Sequence, residues 1–304
     1  MKKMDIGNSG LVSSAIGIGC MRIAELSVKE VEAFIQNALN LGINLFDHAD
    51  IYGGGQCEKL FGKALAGTPG LRDRLILQSK CGICKGYYDL SGDYILDSVE
   101  GILRRLQTDH LDLFLLHRPD ALMEPEEIAE ALHWLYCSGK ALAFGVSNMN
   151  PAQIELLQQA TGHRLVVNQM QLSLACSGMI DSGLHANVPA PTDSRDGSIL
   201  EYCRRKHITI QTWSPLQYGQ FRGVFLGNEK YPELNAELNR LAEVYGVEPA
   251  AVAIAWILRH PARMQVLTGS KSTRRIEQMA AAAQIELTRE QWYGLYRAAG
   301  NVLP

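Results

Sequence analysis

The chain has 304 residues, of which 47% are hydrophobic and 20% charged, and a formal net charge of −3. This balance fits a globular protein with length enough for a large core, and it excludes collagen-like or disordered chains. The charge gives no ground for a nucleic-acid or membrane partner. The most apolar helical stretch, Pro249 to Leu258, is too short to span a bilayer. Lys2 and Lys3 lead into Asp5, Gly7, Asn8 and Ser9 rather than an apolar signal-peptide core, so a cytoplasmic location is expected. Seven cysteines, an odd number spread over a large chain, read as reduced thiols. Cys81-Gly-Ile-Cys84 has redox or metal spacing, but no second pair accompanies it, and it reads as support for a loop.

Met4 to Ser14 carries Gly-Asn-Ser-Gly between short apolar flanks and predicts a hairpin. Ala15 to Met21 predicts a strand. Ser27, with Glu30 three residues on, predicts a capping box opening a helix that buries Val31, Phe34, Ile35, Ala38 and Leu39 and stops at Gly42. Strand and helix then alternate. Strands are expected at Asn44 to Ala49, Leu75 to Lys80, Leu111 to His117, Ala141 to Ser147 and Leu165 to Met170. The helices between them run near Cys57 to Ala66, Tyr94 to Leu106 and Pro125 to Ser138, and one starts at Asn150-Pro151. Ser177 to Arg195 reads as a loop and Gly197 to Lys206 as a helix. Ile208 to Trp213 and Met264 to Thr268 are further strands. Helical patterns cover Glu233 to Tyr245, Glu248 to Leu258, Ser272 to Ala283 and Arg289 to Ala299.

Counted from Ile16, these are eight strand–helix units, which imply parallel pairing through crossovers. They fit an α/β fold: one (β/α)8 TIM barrel domain over residues 1–304, with an N-terminal β-hairpin and extra C-terminal helices. An open doubly wound sheet would announce itself by Gly-x-Gly-x-x-Gly after the first strand, and Gly17-Ile18-Gly19 lacks the third glycine.

The strand ends of such a barrel share one mouth. Asp47 and Tyr52 leave the second strand, Lys80 the third and His117 the fourth. A phenol is a poor acid, but a cation beside it lowers its pKa. Lys80 would be that cation, with Asp47 holding it, and His117 would donate a second hydrogen bond to the same substrate oxygen. Two donors aimed at an oxygen that becomes negative are what carbonyl reduction requires. Met21, Arg22, Ile51, Tyr87, Tyr88, Arg118 and Met149 are candidate pocket residues, and Gly86 to Gly92 a candidate rim.

Several segments resemble the aldo-keto reductase superfamily. They are Phe46-Asp47-His48-Ala49-Asp50-Ile51-Tyr52-Gly53, Ser79-Lys80-Cys81-Gly82, Leu115-Leu116-His117-Arg118-Pro119-Asp120, Gly145-Val146-Ser147-Asn148, Asn168-Gln169-Met170-Gln171 and Trp213-Ser214-Pro215-Leu216. The likeness extends to Gly269-Ser270-Lys271 and Arg275-Ile276, and is nearest to a bacterial branch of general predicted oxidoreductases. It implies a catalytic tetrad of Asp47, Tyr52, Lys80 and His117, with Tyr52 protonating the carbonyl oxygen while NADPH delivers hydride. It also implies that Ser147, Asn148 and Gln169 hold the nicotinamide carboxamide, that Trp213 stacks on the ring, and that Ser214, Pro215 and Leu216 approach the pyrophosphate. Gly269, Ser270, Lys271, Arg275 and Gln278 belong to the adenosine end, where a helix start suits the extra phosphate of NADP. Two departures touch that end: Gln278-Met279 stand where the family often has Glu-Asn, and Gly269 where a lysine is common. The family is often monomeric, so a monomer is expected, with a small carbonyl compound as partner and no metal.

Other readings of the same residues are a Schiff-base lyase with Lys80 as nucleophile, a metal hydrolase using Asp47, His48, Asp50 and His117, and an NADP-binding sensor or regulatory subunit with slow turnover. His48 and Asp50 otherwise read as local hydrogen-bonding residues.

Overall fold

The computed structural model describes residues 1–185, 198–219 and 221–303. Strands β1 (Lys3–Asp5) and β2 (Val12–Ser14) form an antiparallel hairpin. Eight parallel strands follow: β3 (Ile16–Gly19), β4 (Leu45–Asp47), β5 (Ile76–Cys81), β6 (Leu113–Leu116), β7 (Phe144–Ser147), β8 (Leu165–Gln171), β9 (Thr209–Trp213) and β10 (Gln265–Thr268). They pair in chain order, and β10 closes onto β3, which makes the barrel complete. The helices are α1 (Val28–Asn40), α2 (Gln56–Ala66), α3 (Gly92–Leu106), α4 (Pro125–Cys137), α5 (Pro151–Ala160), α6 (Gly178–Leu184), α7 (Ile199–Lys206), α8 (Pro232–Tyr245), α9 (Pro249–Leu258), α10 (Thr273–Ala280) and α11 (Arg289–Ala298). Every predicted strand and helix is present, with ends shifted by a few residues. Among the described residues no single helix is long and apolar enough to cross a membrane.

Side chains alternate across a strand, and that alternation sorts the barrel. One parity points outward: Ile16, Phe46, Leu77, Phe114, Val146, Ile210 and Val266 join the helices in the larger core. The other parity points inward. Leu45, Ile76, Leu113, Leu115, Val167 and Leu267 fill the interior, with Leu267 reaching the cleft. Ile6, from the hairpin turn, is fully buried with them, and the Gly7 N–H donates to Thr209 Oγ1 at 2.9 Å. Gly7 has φ of 57°, and a Cβ there would lie 2.5 Å from the Val166 carbonyl oxygen, so only glycine lets the turn seat. The hairpin therefore plugs the floor and leaves the C-terminal strand ends open.

The capping box at Ser27 is formed, and so is a second one, Asn150 with Gln153, that opens α5. One expectation fails. The stretch beginning at Ser177 is not all loop, because α6 occupies its first half. Two glycines argue against a helix there, but burial of Met179 and Ile180 and the bonds of Asp181 to Ser177 and Tyr296 hold it. The second half of that stretch, and Gly197 at the predicted start of α7, lie outside the described residues.

Helices α2 and α3 touch at Gly62, where an added Cβ would lie 2.3 Å from the Arg105 carbonyl oxygen and 2.6 Å from the Leu106 carbonyl carbon. Gly62→Ala is expected to destabilise the fold by about 1–3 kcal/mol. Gly162→Ala, which meets open space, is expected to stay within about 0.5 kcal/mol. Urea midpoints for the two variants check the pair.

Candidate active site

The inward parity that fills the floor with leucine and valine brings different residues to the mouth. Two positions above Leu45 stands Asp47, four above Ile76 stands Lys80, and two above Leu115 stands His117. Tyr52 opens a short 3-10 turn, Tyr52–Gly55, in which Gly53, Gly54 and Gly55 have φ of 57°, 60° and 83°. Three successive left-handed residues reverse the chain from the β4 end into α2, a path that side chains would resist.

These four residues meet. The Lys80 ammonium is fully buried and donates to Asp47 Oδ1 at 2.7 Å, to the His48 carbonyl oxygen at 2.6 Å and to the Tyr52 hydroxyl oxygen at 3.3 Å. All three of its donors are used. The His117 ring stands edge-on to Tyr52, with centroids 6.1 Å apart. His117 Nδ1 is buried and has no hydrogen-bond partner among the described residues, which leaves Nε2 as the nitrogen facing the cleft.

The electrostatics refine one expectation. Lys80 does pull the phenol of Tyr52 down, but burial pushes it up more strongly and Asp47 adds to that, so its pKa lies above the ordinary 10.0. Near neutral pH Tyr52 therefore keeps its proton, the form a proton donor needs. Burial also opposes the charge on Lys80. The Asp47 carboxylate and the Tyr52 oxygen more than offset it and hold the ammonium above its usual value. Burial, then Lys80 and Arg118, push His117 well below 6.5, so it is a neutral imidazole.

Beneath the ion pair lies a layer of glutamines, of which the sequence points only to Gln169, and to that as a cofactor contact. The Gln78 amide N–H donates to Asp47 Oδ1 and, at 2.9 Å, to Gln211 Oε1. Gln169 Nε2 reaches Asp47 Oδ1 at 3.3 Å and Gln211 Oε1 at 3.1 Å. Gln211 Nε2 donates to Gln78 and Gln265, both at 2.8 Å, and Gln265 Nε2 donates to Ser13 Oγ and the Ser14 carbonyl. The available signal was parity: Gln78, Gln169 and Gln211 share the inward face with the tetrad in otherwise apolar strands.

A cleft of about 560 Å³ opens above the tetrad. Asp47, Tyr52 and His117 form part of its wall, and Lys80 sits behind them. Of the expected cofactor residues, Ser147, Asn148, Gln169, Trp213, Ser214, Pro215, Leu216, Gly269, Ser270 and Arg275 line it. Lys271 and Gln278 do not. Lys271 pairs with Glu25 at 2.6 Å on the outer rim, and Gln278 bonds Glu248 at 3.2 Å. Asn148 and Gln169 use their amide N–H groups within the protein, while their amide oxygens accept no hydrogen bond among the described residues. Two amide oxygens and an aromatic wall at one end, and Arg275 at the start of α10 at the other, fit a nicotinamide nucleotide lying along the cleft. Asn148 and Ser214 have φ of 58° and 52°, left-handed values that cluster at ligand-binding sites.

Other candidates part company. Met21, Arg22, Ile51 and Arg118 line the cleft, as do Phe221, Gln217 and Val224, which sequence reasoning missed. Phe221 stacks on Trp213, with centroids 5.4 Å apart and planes at 19°. Tyr87 and Tyr88 are exposed and Met149 is buried, and none of the three lines the cleft. The His48 side chain does not bond locally. It packs on Phe61 at 4.6 Å, its two ring nitrogens find no partner among the described residues, and burial and then Lys80 lower its pKa to about 3. Asp50 faces Tyr94, and burial, then Glu58, raise its pKa to about 6. Among the described residues no group of three or more His, Cys, Asp or Glu is placed to hold a metal ion. Cys81 is fully buried and Cys84 half-buried, and no disulfide joins them.

Comparison with known proteins gives the same direction. The sequence matches the Aldo/keto reductase family over residues 15–297. It is 38% identical over 300 residues to 6-dehydroglucose reductase of Agrobacterium fabrum (strain C58), covering 94% of both chains. It is 34% identical over 310 residues to oxidoreductase YdhF of Escherichia coli (strain K12), covering 98% of both. Among solved structures, an aldo-keto reductase from Klebsiella pneumoniae in complex with NADPH matches with a TM-score of 0.79 and 26% identity, over 97% of this chain and 94% of that one. With a closed barrel, a buried lysine–aspartate pair under a tyrosine, and a family match over nearly its whole length, the chain belongs to the aldo/keto reductase family of oxidoreductases.

Proposed function

We propose that the protein reduces aldehyde or ketone carbonyls to alcohols, with NADPH as reductant and Tyr52 as proton donor. The observation that carries this reading is the Lys80 ammonium, held by Asp47 at 2.7 Å and lying 3.3 Å from the Tyr52 hydroxyl oxygen. NADPH, when bound, supplies the hydride. Ser147, Asn148 and Gln169 would hold its carboxamide and Trp213 its ring. Ser214, Pro215 and Leu216 would lie along the pyrophosphate, and Gly269, Ser270 and Arg275 would receive the adenosine end, with Lys271 and Gln278 outside them.

The carbonyl oxygen would accept hydrogen bonds from the Tyr52 hydroxyl and the His117 Nε2–H. As negative charge builds on that oxygen, the Tyr52 proton moves to it, and Lys80 stabilises the phenolate left behind. Asp47 keeps the ammonium charged and aimed. A neutral His117 suits this step, because it donates a hydrogen bond without competing as an acid. The complete constellation favours turnover over a purely cofactor-sensing role. The relative named 6-dehydroglucose reductase makes sugar-derived aldehydes a class to include in a substrate screen beside simple aldehydes, ketones and quinones.

Three outcomes test the reading in NADPH-oxidation assays. Tyr52→Phe is expected to lower kcat by about 10²–10⁴-fold while NADPH still quenches tryptophan fluorescence; an unchanged kcat removes the proposed donor. The rate of reduction is expected to stay flat between pH 6.5 and pH 10.0, since the imidazole loses its proton below that interval and the phenol above it. A titration centred at 6.5 would place a protonated His117 in the step. Arg275→Ala is expected to raise KM for NADPH about tenfold more than KM for NADH, the size of one lost charge-assisted phosphate contact.

A further inference from the structure

We propose that Arg118 receives an anionic group of the substrate, so that the preferred substrates are short aldehydes or ketones bearing a carboxylate or phosphate. The inference deepens the reductase reading above and rests on it. The charged side chains of the cleft wall are Arg22, Asp47, Arg118 and Arg275. Asp47, the single acid among these described residues, is bound to Lys80, so the described part of the wall offers positive charge with no negative charge left over.

Arg118 is half-buried and forms no ion pair or hydrogen bond among the described residues; its guanidinium carbon stands 5.8 Å from the centre of the Trp213 ring. The acid two residues on does not neutralise it, because Asp120 accepts from the Leu90 and Leu122 backbone N–H groups instead. A partly desolvated cation left in this state is short of a partner. Its planar fork matches a carboxylate or phosphate in two parallel hydrogen bonds. Met21, Ile51, Phe221 and Val224 make much of the surrounding wall apolar, which strengthens any charge pair formed there.

Position sets the distance between the two ends of the substrate. Arg118 follows His117 directly, so their Cα atoms are about 3.8 Å apart, and both side chains reach the same cleft. A carbonyl oxygen between Tyr52 and His117 would thus share the cleft with the guanidinium of the next residue in the chain. Arg275, at α10, belongs to the opposite end, and Arg22 is exposed on the rim.

The test compares matched substrates with NADPH: succinic semialdehyde against butanal for the carboxylate, and glyceraldehyde 3-phosphate against glyceraldehyde for the phosphate. The native protein is expected to favour the anionic member of at least one pair in kcat/KM, and which pair responds names the anion. Arg118→Met is expected to lower that anionic-to-neutral ratio by about 10- to 100-fold, with Arg118→Lys recovering part of it. Calorimetric titration of the NADPH-loaded protein with succinate and with inorganic phosphate supplies a readout free of turnover, in which the Met variant should bind the responding anion more weakly. A ratio unchanged by Arg118→Met, or one lost in Arg22→Met instead, overturns the assignment while leaving carbonyl reduction intact. Arg118-dependent anion binding without NADPH oxidation by any of the four compounds supports the anion site and counts against the reductase reading.

Discussion

The arrangement at the mouth depends on burying one ammonium next to one carboxylate inside a closed barrel. Taking two ions out of water costs several kcal/mol each, and their attraction repays this only if the remaining donors and acceptors are also satisfied. Here they are. Lys80 places its three protons on Asp47, the His48 carbonyl and Tyr52, and Asp47 accepts from Lys80, Gln78 and Gln169. The phenol is thereby part of the solution to a solvation problem, and its oxygen sits where the third proton of the ammonium points.

The glutamine layer makes this affordable in the middle of a hydrocarbon interior. Leucine and valine fill the floor, charged groups occupy the mouth, and neutral amides lie between them. An amide can donate to a carboxylate on one side and accept from another amide on the other without adding net charge. Steps of two along β5 give the whole order in Ile76, Gln78 and Lys80, while β4 supplies Leu45 and Asp47, and β8 and β9 supply Gln169 and Gln211 to the amide level.

Much of this was legible from the chain. A strand that ends in Asp, Lys or His after an apolar run is uncommon enough to mark the mouth, and Asp47, Lys80 and His117 are found there together with Tyr52. The helix caps at Ser27 and Asn150 follow from local hydrogen bonding and needed no knowledge of the fold. What stayed hidden depends on distant parts of the chain. Gln211 and Gln265 look like ordinary polar alternation until closure of the barrel shows that they have no solvent to face. The rise in the Tyr52 pKa needs the degree of burial, which no neighbour in sequence reveals. Helix α6 needs Tyr296, 115 residues away from Asp181. Phe221 joins the site only because its loop folds back over Trp213.

The seated hairpin has a consequence for proton traffic. Ile6 and the leucines seal the end of the barrel opposite the cleft, and the groups between that seal and Lys80 are amides, which hold their hydrogens too firmly to pass them along. If Tyr52 is the proton donor proposed above, a hydrogen it surrendered would be replaced from the solvent side, through the cleft. Recharging the phenol would then compete for space with the departing alcohol, because among the described residues both would use the same opening.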